Sequence, residues 1–192
     1  MSAMVFAKRY VKYMVSLRCK KLLRDALKKT DLNYSISPHG AVVFLEETTD
    51  AQLKELNENL LKSGLELLDK NDSMLIDRII NTVIDVIHDS DELPNVNFDD
   101  FIDSDLGTGR ESILKIFSDV KGMSIMQFIV LEKIERVKEF LLYDDLSMAE
   151  IAEKLRYKNE DLLIAQFKKY TGLSPDYFKE MKKERMSVLQ TV

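Results

Sequence analysis

A short helix, a tight turn and a second helix in the last third of the sequence constrain the fold more than any other feature. Ser147 and Glu150 stand three residues apart in front of an apolar run, which is the capping box that fixes the start of a helix. Gly172 lies where a second helix would end, and Ser174 with Pro175 lies where a third would begin. These signals predict two short helices that pack at an angle, as in a helix-turn-helix.

Apolar residues at helical spacing give this pair a shared core. Ala152 and Leu155 fall on the inward side of the first helix, where a small residue permits two helices to cross closely. Leu162, Leu163 and Phe167 form the predicted apolar face of the second helix.

A second pair with the same plan comes earlier, over residues 96–122. Gly107 marks its turn, and Thr108 with Glu111 forms the capping box of its second helix. The residues expected to face inward are Phe98, Phe101, Ile102, Ile113, Ile116 and Phe117. Between the two pairs, apolar residues spaced four, three and four apart predict one long connecting helix through Val130, Ile134, Val137 and Leu141.

Residues 95–185 resemble the DNA-binding domain of AraC/XylS-type transcriptional regulators. The resemblance is carried by "IERVKEFLLYDDLSMAEIAEKLRY" and "FKKYTGLSPDYFK", and by the spacing from Ala152 through Phe167 to Gly172 and Pro175. It implies an all-α double helix-turn-helix domain in which the second helix of each pair enters a major groove of double-stranded DNA. The implied function is a sequence-specific regulator that reads successive major grooves and acts on the transcription machinery.

The resemblance places the start of the second helix of the first pair against DNA. The residues expected there are Thr108, Arg110, Glu111, Ser112 and Lys115. Arg110 suits the recognition of guanine, because a guanidinium donates two hydrogen bonds to guanine O6 and N7, and Lys115 suits a phosphate. The alternative is that these are solvated surface residues.

The second pair departs from the family pattern. Arg156 replaces the usual Gly of the turn, Tyr157 replaces Phe, and Ala165 replaces a longer polar side chain. Glu160 and Asp161 open the helix, where they favour the helix dipole but repel phosphate. We therefore expect the first pair to read most of the base sequence. The second pair should mainly position the protein through Lys158, Asn159, Lys168 and Lys169. Glu160 is also placed near DNA, where a carboxylate can accept from cytosine N4, but such a contact is rare beside the cost of approaching the backbone.

The first seventy residues alternate between strand and helix signals. "RYVKYMV", "LNYSI", "AVVFLEE" and "LELLD" are predicted strands, whereas "CKKLLRDALKKT" and "DAQLKELNENLLKSG" recur at helical spacing. Thr49 with Gln52 caps the second helix, and Gly64 follows its end. The order βαββαβ is that of an α+β ferredoxin-like domain. The predicted domains are residues 1–70, a connecting helix and linker over 71–94, and the double helix-turn-helix over 95–192.

The stretch "YMVSLRC" at 13–19 resembles the first strand and loop of heavy-metal-associated domains, which carry two cysteines two residues apart. Ser16 takes the place of the first cysteine, and one thiolate is too few for a soft metal ion. We therefore predict no cofactor and no metal site, with Cys19 and Met14 as weak candidate ligands. Cys19 is expected to pack at the start of a helix. Redox sensing is the alternative, because a helix N-terminus and basic neighbours lower the pKa of a thiol.

Residues 73–88 predict a helix whose apolar stripe is wider than one contact requires. The helix could pack between the two domains, or it could form a homodimer through Leu75, Ile79, Val83 and Val86. His88 at its end is expected to be a helix-terminal cation rather than a metal ligand.

Composition narrows the class of protein. The 192 residues are 45% hydrophobic and 32% charged, with six Gly and three Pro, as in a helix-rich globular protein. Net charge is −5, divided as 13 − 15 = −2 over residues 1–94 and 15 − 18 = −3 over residues 95–192, which argues mildly against nucleic acid. The single cysteine cannot form an internal disulfide, and no apolar run approaches the roughly 20 residues of a membrane span. We expect a cytoplasmic protein with no membrane partner.

Two function classes follow from these patterns. The sequence has no phosphate-binding loop and no nucleophile paired with a nearby histidine, so an enzyme is not expected. The first class is a sequence-specific DNA-binding regulator. The alternative is a protein-interaction or metal- or redox-responsive module with weak DNA affinity, which the acidic balance of residues 95–192 favours.

Overall fold

The computed structural model describes residues 7–89, 93, 110–144 and 146–181. These residues belong to two compact units. The first unit comprises the described residues up to 81 together with 110–125, and the second comprises the described residues from 82 to 93 together with those from 126 onward. The helix at residues 110–121, predicted as the second helix of the first pair, therefore belongs to the same compact unit as the N-terminal region.

The first unit contains five strands and three complete helices among its described residues. The strands are β1 Lys8–Arg9, β2 Val11–Lys12, β3 Tyr34–Ile36, β4 Val42–Phe44 and β5 Glu66–Leu67. The helices are α1 Leu17–Lys29, α2 Asp50–Leu61 and α4 Arg110–Lys121, and α3 Lys70–His88 begins in this unit. An α+β N-terminal region is confirmed.

All three strand pairings are antiparallel, and they involve two short sheets. In one sheet β4 lies between β1 and β3, and in the other β2 pairs with β5. Tyr10 separates β1 from β2, because its N–H donates to the Ser73 hydroxyl at 3.2 Å instead of to a neighbouring strand. Its carbonyl accepts from the N–H of Leu68 at 2.8 Å. The run at 9–15, predicted as one strand, therefore forms parts of two strands and a loop.

Local capping signals fix the helices of this unit where the sequence indicates. Thr49 and Gln52 form both bonds of the capping box in front of α2. Ser16 caps α1 by accepting from the N–H of Cys19, so this helix begins at Leu17, two residues before the predicted run. The core of the sheet and its two helices is formed by Leu23, Leu27, Val42, Phe44, Leu56 and Leu60, all fully buried.

All secondary-structure elements in the described part of the second unit are helices, which confirms an all-α C-terminal region. It holds the end of α3 and most of α5 Ile125–Tyr143, followed by α6 Met148–Lys154 and α7 Glu160–Thr171. Helix α8 begins at residue 175 and is described to residue 181. Both predicted bonds of the capping box between Ser147 and Glu150 are present.

Most predicted core residues of this unit are buried, with two exceptions, of which the first, Val130, is only partly buried. Ile134, Val137, Leu141, Ile151, Ala152, Leu155, Leu163 and Phe167 are buried. Leu162 is half exposed, so its assignment to the apolar face is wrong. It lies about 100° around the helix from Leu163, whereas Phe167, four residues on, shares the face of Leu163. The predicted inward residues Phe98, Phe101 and Ile102 lie outside the described residues.

The buried residues of α3 share one face of the helix, so burial on two sides, which its wide stripe predicts, is not observed. Ile79 and Val83 are only 6% and 2% exposed within the single chain, whereas Leu75 and Val86 are partly exposed. The predicted dimer contact through Ile79 and Val83 is therefore wrong for this conformation, because those side chains are already covered by their own chain. Homodimer formation itself stays a prediction.

His88, at the end of α3, lies between two carboxylates of α5. Its Nδ1 is 3.3 Å from Glu139 Oε2, and its Nε2 is 3.4 Å from Glu132 Oε2. Arg136 Nη1 donates to the same Glu139 oxygen at 2.8 Å. The nearby Glu132 and Glu139 carboxylates raise the pKa of His88 against the opposing effect of burial.

This cluster predicts a pH-dependent contribution to stability. Because the pKa of His88 is raised in the folded chain, its stabilisation is fully present below the unfolded value of about 6.5 and disappears as pH rises through the folded value. We expect His88→Gln to reduce the free energy of unfolding more at pH 6 than at pH 9, measured by urea unfolding at both. An equal reduction at both pH values would contradict the ion-pair interpretation.

Candidate nucleic-acid interface

Helix α4 exposes the face on which its DNA-contacting residues are predicted. Glu111, Ser112 and Lys115 are exposed, and so is Ser118 one turn further on. The opposite face is buried through Ile113, Phe117 and Val120. Of the remaining predicted residues, Thr108 and the side chain of Arg110 lie outside the described part of the chain.

Lys115 is not an isolated cation. Its Nζ lies 3.1 Å from Asp119 Oδ2, one turn along the helix, while its side chain remains 75% exposed. An exposed pair of this kind contributes at most about 1 kcal/mol, so a phosphate can replace Asp119 as the partner at small cost.

In the second pair, α7 presents the lysines and acids that the sequence indicates. Lys158, Glu160, Lys168 and Lys169 are all exposed. Asn159 is exposed too, but it is the N-cap of the helix, and its Oδ1 accepts from the N–H of Leu162 at 3.0 Å. The side-chain oxygen of Asn159 therefore caps the helix. This structural role is additional to the predicted DNA contact.

The charges on α7 are separated along its length. Glu160 and Asp161 stand in the first turn and Lys168 and Lys169 in the last, an arrangement that complements the helix dipole at both ends. Between them the exposed surface carries Ala165 and the half-exposed Leu162. The helix therefore offers anionic and apolar groups near its start and cationic groups near its end.

The turn between α6 and α7 shows the structural roles of Arg156 and Tyr157. Arg156 has φ +54°, the left-handed conformation that normally favours glycine, and its Nε donates to the Leu93 carbonyl at 3.1 Å. Tyr157 is partly buried, which raises the pKa of its hydroxyl, and that hydroxyl donates to Gln166 Oε1. Lys133 of α5 donates to the Leu155 carbonyl at 3.0 Å and lies over the Tyr157 ring. These bonds hold α6, the turn, α7 and α5 together.

Met14 and Cys19 occupy the loop and first helical turn after β2. Both pack against the core of the sheet and its helices, as expected for Cys19. The Ser16 hydroxyl lies 3.2 Å from Cys19 Sγ, and this hydrogen bond lowers the pKa of the thiol. Over the described ranges, no group of three or more His, Cys, Asp or Glu side chains is placed to hold a metal ion. Nor does any helix in those ranges have the length and apolar character to cross a membrane.

Comparison with known proteins identifies one domain and several similar chains. Residues 104–181 match the family model described as "Helix-turn-helix domain". An uncharacterized HTH-type transcriptional regulator of Bacillus subtilis (strain 168), YtdP, is 32% identical over 68 residues, which are 35% of this chain and 9% of that protein. The chain thus spans only a small fraction of this curated relative.

Two solved structures are similar over a little more than half of the chain. The C-terminal domain of AraT, a response regulator from Geobacillus stearothermophilus, is 19% identical with a TM-score of 0.48, covering 56% of this chain and 84% of that one. The DNA-binding domain of AdpA, a global transcriptional factor solved in complex with a target DNA, is 15% identical with a TM-score of 0.49. The similarity covers 57% of this chain and 94% of the AdpA domain.

Proposed function

We propose that this chain is a sequence-specific, DNA-binding transcriptional regulator of the AraC/XylS type. The observation that carries the proposal is the helix-turn-helix match over residues 104–181, in which the second helix of each pair has one buried and one open face. On the open faces stand Glu111, Ser112 and Lys115 of α4, and Lys168 and Lys169 of α7. The similarity to a transcriptional regulator of Bacillus subtilis supports the same function.

The two open faces have different chemistry and therefore different proposed roles. Specificity comes from contacts with base edges, whereas affinity comes from neutralised phosphates. Helix α4 begins with Arg110, Glu111 and Ser112, which supply donors and acceptors for base edges. Helix α7 begins with Glu160 and Asp161, which resist approach to the phosphate backbone, and ends with two lysines that favour it. We propose that α4 reads most of the base sequence and that α7 positions the protein in the next major groove.

For the N-terminal region we propose a ferredoxin-like fold with an interrupted first strand. The supporting observation is that β1 pairs with β4 and β2 with β5, so that the two halves of this strand have the neighbours expected of one central strand. Because the Ser16 and Cys19 side chains bond to each other and offer a single thiol, we propose a structural or protein-contacting role for this region rather than metal binding.

Selection of bound sequences from random duplex DNA at low salt tests the proposed function. The full chain is the appropriate probe, because α4 lies in the same compact unit as the N-terminal region. We expect enrichment of an asymmetric site about two helical turns long, and affinity for it that falls steeply as salt rises.

A variant with Lys115, Lys168 and Lys169 replaced by alanine provides the control for phosphate binding. We expect it to bind more weakly and with a shallower dependence on salt, by about one unit of slope for each phosphate that is no longer neutralised. If the unmodified chain enriches no sequence and does not retain DNA at low salt, the regulator assignment is wrong. The protein-interaction class, which the acids on α7 favour, would then replace it.

A further inference from the structure

We infer that the loop after β2, residues 13–16, positions the first recognition helix, α4, for reading DNA. The inference rests on the proposed function and makes the N-terminal region a structural part of the first DNA-reading unit. The central observation is a backbone hydrogen bond, in which the N–H of Tyr13 donates to the carbonyl of Asp119 at 2.7 Å.

This hydrogen bond provides a partner for a carbonyl at the C-terminal end of α4. The last four carbonyls of a helix have no partner within the helix, and Asp119 provides one of them in α4, which ends at Lys121. Tyr13 supplies the missing donor from outside. The bond therefore fixes the end of α4 to a part of the chain more than one hundred residues away.

The conformation of Tyr13 fits this role. Its φ is +65°, a left-handed conformation that is unfavourable for a residue with a Cβ. A tight turn holds it there, with the N–H of Val15 donating to the Tyr13 carbonyl at 3.0 Å. Tyr13 therefore combines this unfavourable conformation with the N–H that binds α4. Unfavourable backbone conformations persist where the surrounding structure holds them.

A second loop of the N-terminal region reaches the same end of α4. Lys121 Nζ donates to the carbonyl of His39 at 3.2 Å in a partly buried position. Gly122 follows the helix with φ +68°, and a Cβ at this position would lie 3.4 Å from Val15 Cγ1. A Cβ at Gly40 would lie 3.4 Å from Met14 Cε, so the loops at 13–16 and 37–40 are also packed together.

All these contacts lie at one end of α4 and leave its predicted reading face open. They involve the last turn and the residue after it, through Asp119, Lys121 and Gly122. Glu111, Ser112 and Lys115, which lie nearer the start, are exposed. The arrangement therefore orients the helix without covering the surface that would face the major groove.

Substitution of Tyr13 tests the inference. Tyr13→Pro removes the N–H and imposes φ near −65°, whereas Tyr13→Gly keeps both the N–H and the left-handed conformation and is the matched control. Lys121→Met removes the hydrogen bond to the His39 carbonyl and keeps an unbranched side chain of similar length. This variant remains informative if Tyr13→Pro fails to fold.

The measurement is affinity of the full chain for the selected site and for two versions in which one half or the other is scrambled. We expect Tyr13→Pro and Lys121→Met to lose about fivefold to tenfold in affinity for the intact site, the range that one net hydrogen bond supplies. Discrimination should fall for the half read by α4 and remain for the half read by α7. Tyr13→Gly should behave as the unmodified chain does.

Amide hydrogen exchange gives a second readout that requires no DNA. We expect faster exchange over residues 118–122 in Tyr13→Pro and Lys121→Met, with exchange in α7 unchanged. Unchanged exchange in α4 overturns the contact, and unchanged or tighter DNA binding by both variants overturns its positioning role. Failure of the unmodified chain to bind DNA overturns the proposed function instead, so the two failures are distinguishable.

Discussion

Phe167→Ala is expected to lower the free energy of unfolding of the second unit by about 3–5 kcal/mol, the usual cost of truncating a fully buried phenylalanine. The Phe167 side chain has no exposed surface. Its ring meets that of Phe178 edge to face, with centroids 5.6 Å apart and planes at 78°. Truncation would remove this aromatic contact and leave a cavity between α7 and α8. Urea unfolding followed by far-ultraviolet circular dichroism measures the loss.

The same helix supplies the control for this prediction. Leu162→Ala removes a half-exposed apolar side chain from α7 and replaces it with a better helix former, so we expect a change within about 0.5 kcal/mol. Similar losses for the two variants would mean that Phe167 is not the packing centre of this helix pair.

Loss of Phe167 should also weaken DNA binding for a reason separate from charge. Lys168 and Lys169 of α7 are exposed and lie about 100° and 200° around the helix from Phe167, so their position depends on how firmly the buried face is held. The capping bond from Asn159 and the left-handed Gly172, at φ +76°, define the ends of α7 but not its rotation against α6. Packing of the buried face determines that rotation.

Features that depend on residues three or four apart could be predicted from the sequence. Both complete capping boxes, at Thr49 and Ser147, are present as predicted, and Gly172 ends α7 in the left-handed conformation. Each depends on a side chain bonding to backbone within one turn, so the local sequence contains all the information required. The order of strands and helices up to β5 follows from the same short-range patterns.

Features that depend on distant contacts could not be predicted in this way. The bond from Tyr13 to Asp119 joins two backbone groups, and neither residue type signals it. Tyr10 interrupts the first strand because of a hydroxyl 63 residues away, on Ser73. Burial of Ile79 and Val83 is likewise a tertiary effect, and a wide apolar stripe looks the same whether the chain itself or a second copy covers it.

The candidate site also contains features that the local sequence predicts and one that it does not. The exposed positions of Lys115, Lys168 and Lys169 follow from helical periodicity, whereas their contact with DNA stays a prediction. The ion pair between Lys115 and Asp119 has the spacing of four residues that could have revealed it. The exposure of Leu162 differs from the prediction because Leu162 and Leu163 are adjacent, and neighbouring residues on a helix lie about 100° apart and cannot both occupy the centre of one face.

Arg110→Ala is expected to relax base preference by about 1–3 kcal/mol at one position of the selected site, whereas Lys168→Ala should weaken binding to all sequences alike. The difference follows from what each group can recognise. A guanidinium at the start of α4 can donate two hydrogen bonds to one guanine edge, and its loss removes information. The ammonium of Lys168 is exposed in the last turn of α7, where it favours phosphate of any sequence.

Affinities for the selected site, its single-base variants and a random duplex, each at several salt concentrations, separate these effects. Arg110→Lys is the matched control, because it keeps the positive charge and loses the two-pronged geometry. It should retain most of the salt dependence while losing base preference. Lys168→Ala should lower the salt slope by about one and leave base preference intact. Equal losses on cognate and random DNA from Arg110→Ala would show that α4 contributes charge alone, and the acids at the start of α7 would then need another explanation.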